Sequence, residues 1–520
     1  MIHHTGVWLR YLLLALAIGF ILLYIFVAIS RLGYPYELEW QEGRALDHVE
    51  RLLTGKSIYP PPTLEFIPLT YTPLYFLVSA LAALVTGIGF LTLRLVSLLS
   101  SLGLFYLTYL FIKRETASSY QALIAVGLLA ATYKLGGSWF DIARVDSLFL
   151  LLLLAGFYLI RFGKSFVAVI AAAILITFSY LTKQSALVFI LPMLLFYLLI
   201  DWRKFLLFTG IILTVTVSLS IILDGCSNGW YSFYTLFSPL AISKYIAWGK
   251  LKSVILDNLV LPGIILLILS VSYIIIKKEA KVPALFYLLF FLGMVVGMIP
   301  FSLNIGGYYN CLIPAFIALA ILAALMVNHL EIRFKAYNPF KREMLSFCLY
   351  AACIVQFGIF LYNPLDEMPT KADREAGDML VSYIAQIKGE VLVPSHPYLA
   401  VRAGKKTSIH SSALQTYLLL AGKSPDKPNE PDSIIYPLFE RLYRSEGLDP
   451  GDDFYEQLRR KIADKYYSAI ILDSELQFID IKPSYYYAGK ILQDDVFWTY
   501  TGGKTRPNLL YLPTESENVK

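Results

Sequence analysis

"WFDIARVDSLFLLLLLAGFYLIRF", residues 139–162, is the stretch from which the rest of the chain is best read. From Ser147 to Ile160 it holds no charged side chain, and the run approaches the ~20 apolar residues a helix needs to cross a bilayer. Asp141, Arg144 and Asp146 crowd its leading edge, and Arg161 closes it. Ionisable groups so close to an apolar span are costly unless they are used. Comparable runs recur from Val7 to about Leu361. The chain is 57% hydrophobic and 16% charged, with a mean hydropathy of +0.61, whereas soluble domains carry roughly 25% charged residues. A single soluble core does not absorb that excess, so the expected fold is an α-helical polytopic membrane protein.

Working outward, apolar runs fall at about 7–30, 72–89, 94–112, 120–138, 147–161, 166–182, 185–200, 204–223, 256–276, 283–300, 308–328 and 344–361, about twelve transmembrane helices. The first run is longer than a signal-peptide core and lacks a small-residue cleavage site, so it is expected to be retained. Basic blocks lie at Lys113-Arg114, Arg161 with Lys164, Arg203-Lys204, Lys277-Lys278 with Lys281, and Arg333 through Arg342. From 113 onward two apolar runs separate each from the next, which makes all five cytoplasmic together. The loops around 139–146, Lys183, 224–255 and 301–308 then face the other side, with the segment after 362. The polar stretch 31–71 belongs with them, yet two full crossings between 72 and 112 would put Lys113 on the wrong face. Either the run 72–89 does not cross, or the charge rule fails locally.

After Leu361 the composition becomes that of a soluble α/β domain, with strand patterns "EVLVP" at 390–394 and "AIILD" at 469–473 and helical patterns near 371–388, 433–446 and 452–465. A tail of that length can build its own core. The division is 1–362, a transmembrane domain with external loops, and 363–520, an extracytoplasmic α/β domain. The net charge of +6 sits mainly in blocks between apolar runs, which is a topology signal and implies no nucleic acid. Cys226, Cys311, Cys348 and Cys353 show neither metal spacing nor a disulfide framework, and the six histidines are scattered. Gly-rich phosphate loops, nucleophile elbows and zinc-protease helices are absent from the sequence.

The residues fit for chemistry lie on the expected external face. "YPYELEWQEGRALDHVERLLTGKSIY", 34–59, places Glu37, Glu39 and Glu42 directly after the first helix. In a helical stretch Glu39 and Glu42 share a face at i, i+3, and like charges so placed raise each other's pKa, as suits a general base or a cation site. Arg144 is spaced to pair with Asp141 as a structural bridge, which leaves Asp146 the more informative carboxylate. Lys183, in "SYLTKQSALVF", is a lone cation between two apolar helices, able to neutralise a phosphate or to anchor at the interface. "NIGGYYNCLIP" offers Tyr308, Tyr309 and Asn310 at a helix entrance, where aromatic belt residues are also expected.

These features together resemble the GT-C superfamily of glycosyltransferases, in particular the branch of protein O-mannosyltransferases and lipid A aminoarabinose transferases. That branch shows an Asp-Glu pair, a small residue and, about a dozen positions later, Gly and Tyr in the first loop. Glu42, Gly43, Gly55 and Tyr59 match that spacing. Gln41 stands where the family has its leading aspartate, and Glu39 is the candidate replacement. "ARVDSLFLLLLLAG" is similar to the family's Asp before a long apolar helix and lands on Asp146, "YLTKQSAL" resembles its "LTKG" segment and lands on Lys183, and "YYNCLIP" resembles its helix entrance at Tyr309 and Pro314. "YTPLYF", from Tyr71, resembles a further helix entrance that helps shape the carrier groove.

The resemblance implies inverting transfer from a polyprenyl-phosphate sugar to a glycan, lipid or protein acceptor at the outer face of a bacterial or archaeal plasma membrane. Glu39, Glu42 and Asp146 are the implied catalytic carboxylates, and Lys183 and Arg144 the implied phosphate-binding cations. Asp141, Tyr71, Tyr308, Tyr309 and Asn310 would line the substrate cavity. Metal dependence varies across the superfamily, so a divalent cation on hard oxygen ligands stays open. Two other readings stand beside this one: a lipid or saccharide transporter or flippase, and an inactive GT-C-like scaffold, which Gln41 keeps in view.

Overall fold

The computed structural model describes residues 2–276, 281–424, 427–428, 431–432, 435–475 and 480–514. Lys277 and Lys278, counted above among the basic blocks, lie outside them. The apolar runs form helices: α1 (Ile2–Leu32), α3 (Leu74–Thr86), α4 (Phe90–Thr116), α5 (Ser119–Ala131), α6 (Asp146–Phe162), α7 (Phe166–Thr182), α8 (Ala186–Ile200) and α9 (Trp202–Cys226), with the amphipathic α2 (Glu42–Leu53) in the first loop. A bent pair, Leu251–Val260 and Ile264–Ile276, follows, then Lys281–Leu303, Ile313–Phe334 and Pro339–Ile359. Among the described residues six helices are long and apolar enough to cross a membrane, or seven if the bent pair is one span.

Short polar caps let neighbouring helices reverse tightly. Ser118, Ser165 and Asp201 accept from the first free backbone N–H groups of α5, α7 and α9. α5 lies close against α1, for a Cβ at Gly127 would stand 2.4 Å from the Ala17 Cα, and only a residue without one allows that approach. The helix Ile313–Phe334 runs through the middle, with 94% of its apolar window buried, as a helix that is apolar on all sides must be.

The bundle has two chemically distinct ends. At one, the Arg10 guanidinium lies over the Tyr120 ring, Arg114 donates to the Tyr158 hydroxyl, Arg161 pairs with Glu115 at 2.7 Å, and Gln121 donates to Glu331. The blocks at 113–114, 161 and 333–342 gather there. At the other end lie the end of α1, α2, the starts of α4 and α6, and the end of α7. Both ends of α3 belong to this second end: the Thr72 hydroxyl, just before it, donates to the carbonyl of Tyr180 near the end of α7, and Thr86 shares a 2.7 Å hydrogen bond with Thr92 in the first turn of α4. The run 72–89 is therefore corrected from a crossing to a helix lying at one rim, and Lys113 then falls with the other basic blocks.

Beyond Ile359 the expected helices form at Lys371–Gln386, Ile435–Ser445 and Phe454–Ala463. A four-stranded mixed sheet pairs Glu390–Leu392 parallel with Tyr467–Leu472, which pairs antiparallel with Leu509–Pro513, itself antiparallel to Tyr485–Lys490. This region does not keep its core to itself. Leu392, Leu414, Tyr417 and Phe439 share one apolar cluster with Ala45, Leu46 and Val49 of α2 and with Tyr75 and Phe76 of α3. Tyr36 meets Phe497, and Phe90 meets Tyr398, edge on.

Buried charges lock these pieces together. Arg94, fully buried in α4, donates to Glu42 Oε1 at 3.0 Å and Oε2 at 2.6 Å and to the carbonyls of Tyr34 and Tyr36. His396 bridges the first loop and the sheet, its Nδ1 2.5 Å from Glu37 and its Nε2 3.1 Å from Asp473. Burial opposes its charging, but Asp473 and Glu37 outweigh that and push the imidazole up to about 10.

Arg94→Met leaves Glu42 buried without its counter-charge, and His396→Leu leaves two facing carboxylates. Each is expected to cost about 3–5 kcal/mol, read as a lower Tm in detergent. Because the folded His396 value lies above the ordinary 6.5, its stabilisation is present in full below about pH 6.5 and is lost as pH rises through about 10. Wild type is thus expected to lose stability between those values, and His396→Leu to lose less.

Candidate active site

Glu42 is the first residue of α2, and its carboxylate accepts from Arg94, from the Leu38 N–H at 2.7 Å and from the Ala143 N–H at 2.7 Å. Burial would raise its pKa, but Arg94 and these donors hold it below the ordinary carboxylate value. All its lone pairs are engaged, so it pins the first loop against the loop before α6. Asp141 is similarly committed: it accepts from Arg31 Nε at 2.5 Å and Nη2 at 2.7 Å and from the Tyr133 hydroxyl. The expected pair with Arg144 does not form, because Arg144 turns toward Glu39 at 3.3 Å.

With those two pinned, the space between α2, the loop before α6, the end of α7, the segment 233–246 and the helix Ser411–Leu420 is a cavity of about 860 Å³. Glu39, Gln41, Arg44, Tyr71, Arg144, Lys183, Tyr308 and Asn310 line it. Glu42, Asp141, Asp146 and Tyr309 do not, which corrects their expected place against substrate: the first three are spent on buried donors, and Tyr309 packs into the bundle core. Asp146 acts one step back. Its Oδ1 accepts from Lys183 Nζ at 2.7 Å and from the Asn310 amide at 3.1 Å, and its Oδ2 from the Trp139 indole at 2.8 Å. All three partners line the cavity, so one carboxylate fixes three wall groups. Lys183 is therefore held in place by Asp146.

The lining carries three cations, Arg44, Arg144 and Lys183, against one carboxylate, Glu39. Arg144 also donates to the Tyr71 hydroxyl and, at 3.4 Å, to Gln41 Oε1. Arg44 is held by the Ser412 hydroxyl and the carbonyls of Ile67 and Pro68. Burial, with repulsion from Arg144, lowers it to about 10, which leaves it protonated at neutral pH. Glu39 is 1% exposed. Burial raises its pKa, Arg144 pulls it back only in part, and it comes to about 7. A carboxyl poised there is suited to take a proton at neutral pH.

The cavity has two kinds of wall. Phe233, Pro239, Ile242, Ile246 and Phe301 make an apolar side, continued outward by the exposed Leu236 and Leu240. Ser412, Gln415 and Thr416 from the C-terminal region, with Gln41, set polar groups into the facing side, beside Tyr417, Leu420 and Phe439. Arg44 and this C-terminal wall had no motif to announce them, although an arginine inside an acidic loop was a signal of a kind. Among the described residues no group of three or more His, Cys, Asp or Glu is gathered as for a metal. Glu39 and Asp146 are already engaged by cations, so this donor set does not fit a divalent cation.

No protein-family model matches the chain, and no curated protein matches it in sequence. Its backbone does match solved structures. ArnT from Cupriavidus metallidurans, in the apo state, is 13% identical with a TM-score of 0.58, over 95% of this chain and 97% of that one. The same protein bound to undecaprenyl phosphate gives a TM-score of 0.56 at 13% identity, over 96% and 98%. The archaeal oligosaccharyltransferase AglB from Archaeoglobus fulgidus, in complex with an inhibitory peptide and a dolichol-phosphate, is 11% identical with a TM-score of 0.52, over 89% and 73%. At such identities the likeness establishes the fold, and it is the GT-C fold that the sequence motifs resemble.

Proposed function

We propose that this GT-C-fold membrane protein is a glycosyltransferase that takes a sugar from a polyprenyl-phosphate carrier and passes it, with inversion, to an acceptor hydroxyl. The observation that carries the reading is the convergence of Glu39, Arg144, Lys183 and Arg44, from separate stretches, on one cavity with an apolar and a polar wall. Structures of the same fold bound to undecaprenyl phosphate and to a dolichol-phosphate support the carrier class.

In this scheme the carrier tail lies along the apolar wall, and its phosphate meets the cationic face. The acceptor hydroxyl attacks the anomeric carbon from the side opposite the phosphate. Its proton passes to Glu39 as the carbon–oxygen bond to phosphate breaks, and the bonding pair leaves on the phosphate oxygen. The new negative charge grows beside Lys183 and Arg144, held in advance by Asp146 and Glu39 in a site where little reorganisation is needed. Gln41, which cannot serve as a base, fills the family's aspartate position between two arginines, and Glu39 supplies the carboxylate.

The blocks at 113–114, 161 and 333–342 gather at the end opposite the cavity, which supports an extracytoplasmic site by the charge rule. The same clustering of charge at one rim, away from mid-span, favours an enzyme over a transporter. A transmembrane domain to about 362 and an extracytoplasmic region after it remain the proposed division.

The test is release of polyprenyl phosphate from a panel of polyprenyl-phosphate-linked hexoses and pentoses, in proteoliposomes supplied with cell-envelope extract as acceptor. Glu39→Gln is expected to lower kcat by about 10²–10⁴-fold while leaving carrier binding in place. Asp146→Asn, which frees Lys183 and Asn310, is expected to cost about 10²-fold through misplacement. With the Glu39 pKa at about 7 the base is lost as pH falls, so kcat should rise through about pH 7 and level off above it. Wild-type turnover in Glu39→Gln would end this assignment of the base, and no release with any donor would end the glycosyltransferase reading.

A further inference from the structure

Glu39 does not sit within a regular element: α2 begins only at Glu42, so neither helix nor sheet fixes where its side chain points. A turn from the far C-terminal region does. The N–H groups of Tyr500 and Thr501 both donate to the carbonyl of Leu38, at 2.8 and 3.2 Å, and Thr501 forms an isolated parallel bridge with Glu39. The Thr501 hydroxyl donates to the carbonyl of Gly137 and lies 3.4 Å from the Tyr308 hydroxyl, so the turn is tied to the loop before α6 and to Tyr308 of the cavity lining. Its base is rigid. Thr499 Oγ1 bonds the Gly503 carbonyl at 2.6 Å, and the Asp373 carboxylate accepts from the Phe497 N–H and the Tyr500 hydroxyl.

Gly502 completes the contact. Its φ of +76° is a left-handed conformation, and a Cβ there would stand 2.6 Å from the Glu39 Cγ and 2.7 Å from its Oε1. The neighbouring Gly503 has a φ of +110° but open space around it. Gly502 also lines the cavity. Two glycines with like backbone demands thus differ in one respect, which is that only Gly502 backs the carboxylate.

We infer that the Thr501–Gly502 turn is a working part of the catalytic site, with Gly502 a positioning residue that presses the Glu39 carboxylate toward the acceptor and shields it from water. This rests on Glu39 being the base. The C-terminal region is then required for turnover itself, and not only for recognising the acceptor. The charged groups facing Glu39 are Arg144 from the loop before α6, Arg44 and Glu42 from α2 and Glu37 from its own segment, while the turn 499–503 brings no charge, so it acts on Glu39 through contact and exclusion of water alone.

The full-length protein is assayed by polyprenyl phosphate release from the hexose or pentose donor that wild type turns over. Gly502→Ala is expected to lower kcat by at least about 30-fold with donor KM within about twofold, and Gly503→Ala, which carries the backbone strain without the collision, to stay within about threefold. Thr501→Val keeps the shape but loses both hydroxyl contacts, and its acid limb of kcat should move to lower pH by about one unit as Glu39 becomes hydrated. Equal losses in the two alanine variants, with Glu39→Gln inactive, would overturn the inference and leave the proposed function standing. Wild-type turnover in Glu39→Gln would overturn the inference together with the assignment of Glu39 as the base. Should Gly502→Ala fail to accumulate, an unchanged limb and kcat in Thr501→Val would overturn the inference by itself.

Discussion

A guanidinium fully removed from water has to be answered by charge and hydrogen bonds, and the Arg94–Glu42 pair is where this protein meets that demand. Arg94 projects from the first turns of a membrane-length helix, and five acceptors surround it: both oxygens of Glu42 and the carbonyls of Arg31, Tyr34 and Tyr36. Glu42 in turn takes the backbone N–H groups of Leu38 and Ala143. Because each lone pair and donor must be satisfied at once, the first loop, α4 and the loop before α6 can meet in only one way. The cavity is the space left over once they have met.

The same logic grades the remaining carboxylates by how much of each is already spent. Glu42 and Asp141 are consumed by buried arginines and shape the site without reaching it. Asp146 is consumed too, but by groups that themselves line the cavity, so its influence passes through Lys183, Asn310 and Trp139. Among the described residues Glu39 is the one of these carboxylates that lines the open volume, with Arg144 at 3.3 Å and the Gln41 N–H at 3.1 Å to offset burial. A carboxyl in that position keeps a raised pKa, while the three cations around the cavity leave it net positive. On the proposed reading, that combination separates a proton acceptor from an anion-stabilising surface within one compartment.

The C-terminal region is tied into this arrangement on three sides. His396 stands between Glu37 and Asp473, the Ser411–Leu420 helix supplies polar wall, and the Thr501–Gly502 turn bears on Glu39. Its apolar core runs on into α2 and α3. A region with those connections cannot move freely without disturbing the carboxylate, which is a physical reason for binding of the acceptor and placement of the base to be coupled.

The apolar helical class, the place of most helices along the chain and the strands at 390 and 469 were legible in the residues. Each is a matter of local composition and periodicity, which the chain carries segment by segment. Sequence set Asp146 apart from Asp141 but could not tell Glu39 from Glu42, because carboxylates of one kind are separated only by which distant arginine or lysine each one meets. Nor could it place α3 at the rim, pair His396 with Asp473, or bring Gly502 to within contact of a side chain more than four hundred residues earlier. Those outcomes were decided by tertiary structure, since the cost of burying an unpaired charge depends on everything that surrounds it and on nothing in its own stretch of chain.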